Sequence, residues 1–480
     1  MAERTLIRAS WVVGFDGRQH RIIRDGVVVY EGNTITHVGR RFDGQADRVI
    51  DAAGKIVTPG LVSTHAHLAG SPLDKSFIED RGSPQFYMSG LYEYLPARAA
   101  AQDEEATRAC VDFSLVELIR TGCTTVCELG SHTEYVAEQA ERIGLRVYIG
   151  PLYRSGRWYT PDGKQVLYEW DEAGGFAGLR RALEVIDRWD GRANGRIRGL
   201  LAPAQVDTCS EGLLRETRRV ATERRLPVTI HVSQSVIEFQ EMLRRHGRSP
   251  IAWLRDIGFL GPDVILGHAI IIAGSSWTNY PPGDIEIMAG TGVSVVHSPW
   301  VFYRRGIALE SFTRYLRAGI NIALGTDTCP QSMVNAMRWA ACVGKLVERN
   351  TNVATAAEVF DAATLGGARA LGRNDLGRVA PGARADLVIW DAGTVTMSPV
   401  RDPIKNIVYS AETHDVETVI IDGEVVMANR RVLRAADERT LTARLQAAGE
   451  RMWPRLKDHD WAGRTADELS PPSYPWWEGP

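Results

Sequence analysis

Short apolar runs separated by turn signals fill the first sixty residues: Trp11-Val-Val, Asp16-Gly17, Gly26-Val-Val-Val-Tyr30, Gly32-Asn33, Ile35 to Val38 and Lys55-Ile-Val57. Runs of this kind, bounded by Gly, Asn and Asp, read as strands and hairpins. From Gly60 the rhythm changes to short buried strands separated by helical stretches. Eight strands are expected to end near His65, Glu128, Gly150, Ala202, His231, His268, His297 and Asp327, with helices over 103–120, 211–223 and 335–349 among the connections. Strands alternating with helices in this way predict a parallel (β/α)8 barrel. Beyond a helical run over 353–371 the β rhythm returns in Gly382 to Trp390, Ile407-Val-Tyr409 and Val416 to Val426. Both ends therefore supply strands. Because isolated hairpins are marginal in water, the expectation is a composite β-sandwich built from both termini beside the barrel. The fold class is α/β, divided as 1–58 (first part of the sandwich), 59–375 (barrel), 376–430 (second part) and 431–480 (a helix over 438–456 and an aromatic tail). The adjacent Trp476 and Trp477 suggest that the tail docks.

Chemistry gathers at the strand ends. Thr58-Pro-Gly-Leu-Val-Ser-Thr-His65-Ala-His67 closes an apolar strand with two imidazoles one residue apart. Residues i and i+2 share a face of a strand, so both rings can address one ion. H-x-H by itself is a weak signal. Its context strengthens it: Val228-Thr-Ile-His231, Val264-Ile-Leu-Gly-His268 and Ile322-Ala-Leu-Gly-Thr-Asp327 also end in polar residues. Active sites of (β/α)8 enzymes lie at this C-terminal face. Three imidazoles and a carboxylate satisfy a divalent first-row ion while leaving room for water.

These motifs resemble the amidohydrolase superfamily over nearly the whole chain. The segments that carry the likeness are Pro59 to His67, His231, His268, Gly325-Thr-Asp327, Asn335-Ala-Met-Arg338, Ala363 to Gly372 and Leu376 to Val388. The resemblance implies a barrel with a sandwich from both termini, His65, His67, His231 and Asp327 as metal ligands, and His268 beside the attacking water and substrate carbonyl. Two-metal members carry a carboxylated lysine on the fourth barrel strand. Ile197 to Ala202 has none, and no lysine occurs between Lys164 and Lys345, so one divalent ion per subunit is expected. Zinc is the first choice, with iron, cobalt or manganese accepted by the same ligand set.

Cytosine- and adenosine-type deaminases of the mononuclear subgroup have a glutamate three residues after the fifth-strand histidine; this chain has Gln234. An amide can orient a substrate but cannot take a proton. The expectation therefore leans to hydrolysis of an amide, urea or carbamate/thiocarbamate C–N bond, as in phenylurea- and molinate-hydrolase-like members. A deaminase or triazine-type chlorohydrolase of a heterocycle is the alternative, and a catalytically inactive scaffold the reading from another class. Asp327 would serve as ligand and proton shuttle, and His268 would steady developing negative charge.

Aromatic and basic loop residues extend the site. His297 closes the seventh strand and is assigned to substrate orientation, with Gln234, Phe86, Trp158, Trp300, Tyr303 and Arg304 around it. A ring-lined pocket suits an aryl or hydrophobic substrate. Glu128 is expected to support the ligands without being one.

Composition narrows the partners. A net charge of −3 gives no electrostatic reason to expect nucleic acid or an anionic membrane. No run of eighteen apolar residues is present, and six dispersed cysteines make no disulfide framework. A small-molecule substrate, a cytoplasmic location and a homo-oligomer, dimer or larger, are the expectations.

Overall fold

The computed structural model describes residues 3–77, 79, 88–477 and 479. Four strands open the chain: β1 (Arg4–Phe15), β2 (His20–Glu31), β3 (Thr34–Gly39) and β4 (Arg48–Pro59). β1 runs antiparallel to β2 and parallel to β4. One residue after β4 the chain enters β5 (Leu61–Ala66), the first barrel strand.

β6 (Cys123–Gly130) and β7 (Arg146–Tyr153) follow in parallel register. An antiparallel hairpin, β8 (Gly156–Tyr159) with β9 (Leu167–Trp170), is inserted after β7. The fourth barrel strand comes in two pieces, β10 (Ile197–Gly199) and β11 (Ala202–Pro203), both parallel to β7. β12 (Val228–Val232), β13 (Val264–His268), β14 (Ser294–His297) and β15 (Asn321–Leu324) complete the set, each parallel to the next. Bridges Leu201–Val228 and Gln205–His231 join the two halves, and Ala66–Asp327 closes the ring. Eight parallel strands in a closed circle are the predicted barrel. Val62, Cys127, Leu200, Ile265, Val296 and Ala323 fill its interior, so it is a packed core with chemistry only at the mouth.

The helices 104–120, 211–224 and 333–348 lie within a residue or two of their predicted bounds. Each is held at its start by a side-chain cap, from Asp103, Ser210 and Ser332. β16 (Leu387–Asp391), β17 (Val416–Ile421), β18 (Glu424–Ala428) and β19 (Arg431–Val432) return to the terminal sheet. β16 runs antiparallel to β4, giving the order β19-β18-β17-β16-β4-β1-β2-β3. Hydrogen bonds between 33–35 and 382–385 tie β3 back to the segment leading into β16, so the sheet wraps around Ile7, Val28, Tyr30, Ile35, Leu387 and Ile420. Both termini build it, as the sequence pattern implied.

Three sequence expectations are corrected. Ile407-Val-Tyr409 is not a strand but the end of helix Pro403–Tyr409, started by an Asp402 cap and a proline at its first position, a pairing that fixes helical geometry. The long helix near the C-terminus stops at Met452 and tightens into a 3-10 turn over Trp453–Asp458, with Pro454 near the junction. The tail does not bury its tryptophans: Trp476 and Trp477 are 72% and 87% exposed, and Trp476 Nε1 donates to Asp467 at the surface. No helix among the described residues is long and apolar enough to cross a membrane.

Barrel and sheet share one buried charge network. Arg146 at the start of β7 is fully buried and donates from Nε to Asp386 Oδ2 at 2.9 Å and from an Nη to Asp386 Oδ1 at 3.0 Å. It also reaches Asp422 Oδ1 at 3.3 Å, and Arg196 and Arg384 lie 3.6 and 3.4 Å from Asp422. Removing one partner of such a group strands a buried charge. Arg146→Ala should therefore lower stability by roughly 3–5 kcal/mol, seen as a fall in the urea midpoint. Five cysteines are buried and Cys342 is exposed. Burial pushes the Cys123 and Cys110 thiols up to about 12, so native alkylation should label Cys342 alone and the others only after unfolding.

Candidate metal centre and active site

Ring closure of the barrel itself assembles the centre. Asp327 N–H donates to His65 O at 2.9 Å and His67 N–H to Asp327 O at 2.7 Å, so the first and last strands present their functional side chains as one unit. Asp327 occupies the left-handed region, φ +58°, a conformation that Asp tolerates better than most residues and one that often marks functional sites. His65 sits at the middle and is fully buried. Two glycines make room for it: a Cβ on Gly267 would lie 2.9 Å from its ring and one on Gly325 2.8 Å from its Cβ. Either glycine replaced by a larger residue would displace this ring.

The protonation pattern follows from the hydrogen bonds. His67 Nδ1 lies 2.6 Å from Leu129 O and His231 Nδ1 2.6 Å from Ala204 O. A carbonyl only accepts, so each Nδ1 carries a proton, and each ring when neutral presents a lone pair at Nε2. Those Nε2 atoms face each other at 3.1 Å. Two lone pairs at that separation repel unless a cation lies against them. His65 has neither ring nitrogen hydrogen-bonded. Asp327 approaches from the other side, its oxygens 3.9 Å from His65 Nε2, 3.9 Å from His67 Nε2 and 3.3 Å from His268 Nε2. His65, His231 and His268 form one set of possible ligands and His65, His67 and Asp327 another, each with its donor atoms within 4.8 Å of one another. The donor set fits one divalent ion with nitrogen and oxygen ligands.

Burial keeps these groups ready for that ion. It holds His65 and His268 well below the usual imidazole range, helped by the neighbouring rings, and takes His231 down to about 3. Neutral imidazole is the ligating form. Burial raises Asp327, opposed by His67 and by the guanidinium groups of Arg305 and Arg304. Gln331 supports the arrangement from behind, donating to Asp327 O at 3.3 Å and to His67 O at 3.4 Å. Glu128, expected as a supporting group, accepts Leu68 N–H at 2.9 Å.

The expected substrate residues separate. Gln234 follows His231 by three positions and is 5% exposed, its Nε2 without an acceptor. His297 is buried with Nε2 2.8 Å from Tyr303 Oη, and its Nδ1 has no partner. Burial takes its pKa down to about 3. Trp300 donates to Cys329 O at 3.1 Å and packs on Trp339. Trp158 donates to Asp207 Oδ2 at 2.7 Å and meets Tyr92 edge to face. Arg304 lies close enough to act on Asp327, and Phe86 falls outside the described residues. Phe302, not among the expected site residues, sets its ring 4.6 Å from His268.

Two buried carboxyl groups were missed. Asp207 accepts from Trp158 and from Tyr168 Oη at 2.8 Å; Glu238 accepts the backbone N–H groups of Ser233 and Gln234. Ser235-Val-Ile-Glu238 has the S-x-x-E spacing of a capping box and was the available signal for Glu238. Asp207 carried no such mark.

Fold and site together define a barrel hydrolase with a buried centre for one metal ion. The amidohydrolase family model matches residues 56–426, and the chain belongs to that family. It is a metal-dependent hydrolase of carbon–nitrogen bonds. Among curated relatives, a 5'-deoxyadenosine deaminase of Methanosarcina mazei is 31% identical over 438 residues, covering 90% of this chain and 95% of its own. A 5-methylthioadenosine/S-adenosylhomocysteine deaminase of Thermococcus onnurineus is 33% identical over 431 residues, covering 89% and 95%. Among solved structures, an adenosine deaminase from Xanthomonas campestris with bound zinc superposes with a TM-score of 0.81 at 26% identity, covering 93% of this chain and 98% of its own. Atrazine chlorohydrolase from Arthrobacter aurescens TC1 complexed with zinc gives 0.77 at 24% identity, covering 93% and 100%, a likeness of fold.

Purified protein should hold about one equivalent of a first-row divalent ion by elemental analysis, since one ion satisfies the convergent donors. Chelation should lower the melting temperature, because an ion that binds only the folded state stabilises it. His65→Ala should lose most of the ion while the terminal sheet remains folded.

Proposed function

We propose that this enzyme hydrolyses an acyl C–N bond (amide, urea or carbamate/thiocarbamate) of a small, neutral, aromatic or hydrophobic substrate. The observation that carries this reading is Gln234: a buried amide with an unpartnered Nε2 follows His231 by three positions, where the resemblance puts a glutamate in the deaminases of the subgroup. Removing ammonia from an aromatic ring asks for a proton on a ring nitrogen. An amide cannot supply it, and a positioned acid is worth about 100- to 10,000-fold in rate. Acyl C–N cleavage needs only one shuttle.

His65, His67, His231 and Asp327 are read as the ligands, and zinc as the first candidate ion. When bound, such an ion supplies Lewis acidity, lowering the pKa of water and polarising a carbonyl. Asp327, raised by burial, accepts the proton of the attacking water. His268, 3.3 Å from Asp327, is neutral and has an N–H to offer the developing oxyanion. Asp327 then returns the proton to the departing nitrogen. Gln234 Nε2 and the His297 Nδ1 edge are the polar contacts that orient the substrate. The barrel, read as residues 59–375, carries all of these groups; the flanking segments support it. A cytoplasmic homo-oligomer completes the reading.

The second reading is deamination of an aminated heterocycle such as a nucleoside, favoured by the names of the 31–33% identical relatives. A mass-spectrometric screen of aryl ureas, carbamates, anilides, aminopurine nucleosides and chlorotriazines separates the two. Release of an aryl or alkyl amine supports acyl cleavage; ammonia from a nucleoside overturns it in favour of the deaminase. In either case Asp327→Asn should reduce kcat by more than about 100-fold, the scale of a lost acid–base group. A variant that kept a tenth of wild-type kcat would remove Asp327 from the proton path.

A further inference from the structure

Glu238 is a fully buried carboxyl that the mechanism above does not use. It reaches back from helix Val236–His246 and accepts two consecutive backbone N–H groups, from Ser233 and, at 3.2 Å, from Gln234. Ser233 is at φ +55°, left-handed for a residue with a Cβ. The same turn is gripped on its carbonyl side: Ser233 O accepts from Ile270 N at 2.9 Å and Ile271 N at 2.8 Å, immediately after His268. Ser235 Oγ caps the helix at Glu238 N and lies 2.7 Å from Tyr92 Oη. Only two residues separate His231 from Gln234, so this turn decides where the Gln234 amide points.

Glu238 is an expensive way to hold a turn. Its burial raises its pKa well above the usual carboxyl range, and the neighbouring Asp207, also fully buried, pushes it further. A hydroxyl or amide could accept the same N–H groups at lower desolvation cost. What the carboxyl adds is two acceptor oxygens in one rigid plane, which fix successive peptide N–H groups together.

We propose that Glu238 is a positioning residue that acts through Gln234. It locks the 233–235 turn so that the Gln234 carboxamide N–H faces the barrel mouth and meets a neutral acceptor, a carbonyl oxygen or an unprotonated ring nitrogen, next to the reacting carbon. This rests on the acyl C–N reading above for its substrate class, but the locking of the turn does not.

The test is a double-mutant cycle on the full-length holoenzyme with Glu238→Gln, Gln234→Ala and the double variant, assayed on the screen substrate with the highest kcat/KM. Each single change should lower kcat/KM by about tenfold, one hydrogen bond's worth, chiefly through KM. The double variant should be no worse than Gln234→Ala, since a brace whose target is gone has nothing left to lose. Metal content should stay at wild type in all three. Losses that multiply, or an E238Q protein that loses its metal, would overturn the proposal. Hydrogen–deuterium exchange needs no substrate: amides of the 232–236 segment should exchange faster in E238Q and as wild type in Q234A. Unchanged exchange in E238Q also overturns it. Should E238Q not fold, Glu238→Asp supplies the same readouts, with a shorter carboxylate that keeps both acceptors. If no screen substrate is cleaved, the acyl C–N reading fails while exchange still decides the brace.

Discussion

Two imidazole lone pairs 3.1 Å apart in a buried site are a standing repulsion, and much of the barrel mouth can be understood as arranged around it. Each ring is fixed from behind by a backbone carbonyl, Leu129 O for His67 and Ala204 O for His231. Those carbonyls come from the ends of the second strand and the fourth, so neighbouring strands set the tautomers of the first and fifth. Burial works against protonating the His231 ring to relieve the repulsion. The cost of assembling the set is met when a cation binds, which is why a metal of this kind contributes to folding as well as to chemistry.

Such precision requires a frame that does not shift. The last barrel residue and the first ligand strand exchange backbone hydrogen bonds at Asp327, His65 and His67, so closing the circle and forming the centre are one event. The terminal sheet stiffens the opposite side. β4 continues into β5 across Gly60, whose N–H is held by Asp386 O at 2.9 Å, and Asp386 is the acceptor of buried Arg146 from β7. A charge network of this kind is a poor source of stability compared with apolar packing. It does tie sheet to barrel, because Arg146 and Arg196 of the barrel pair with Asp386 and Asp422 of the sheet.

The strand ends were legible because a parallel barrel writes one short apolar run before each functional residue, and the C-terminal ends line up by construction. His65, His67, His231, His268 and Asp327 were all read this way, and the structure brings them together. What the sequence hid depends on long-range contacts. Asp207 sits on an irregular stretch after β11, and only the inserted β8–β9 hairpin, bringing Trp158 and Tyr168 to it, gives it meaning. Ile407-Val-Tyr409 looked like a strand because a short β-branched run is ambiguous between periods; the cap at Asp402 decided the matter. Trp300, expected around the substrate, is held by its indole N–H to Cys329 O in the loop that follows Asp327, a contact no local pattern announced.

Gln234 stands where the resemblance to the deaminases puts a carboxylate, and on the proposed reading this has a consequence for how the site handles protons. With a second carboxyl at that position, one proton could be taken at Asp327 while another was delivered elsewhere on the substrate. Here Glu238 is close in sequence, yet its two oxygens are committed to the Ser233 and Gln234 N–H groups. On the proposed reading, in which Asp327 takes the proton of water, that proton reappears at the atom that leaves from the same side of the reacting carbon. Nitrogen leaving groups of amides, ureas and carbamates meet that requirement, since they depart from the carbon the water attacks and become basic as the bond breaks. In an aminated aromatic ring the ring nitrogen bonded to the attacked carbon does not leave and takes a proton as water adds, so that chemistry asks for a second proton donor. On the proposed reading, one amide side chain separates chemistries that the fold and the donor set leave together.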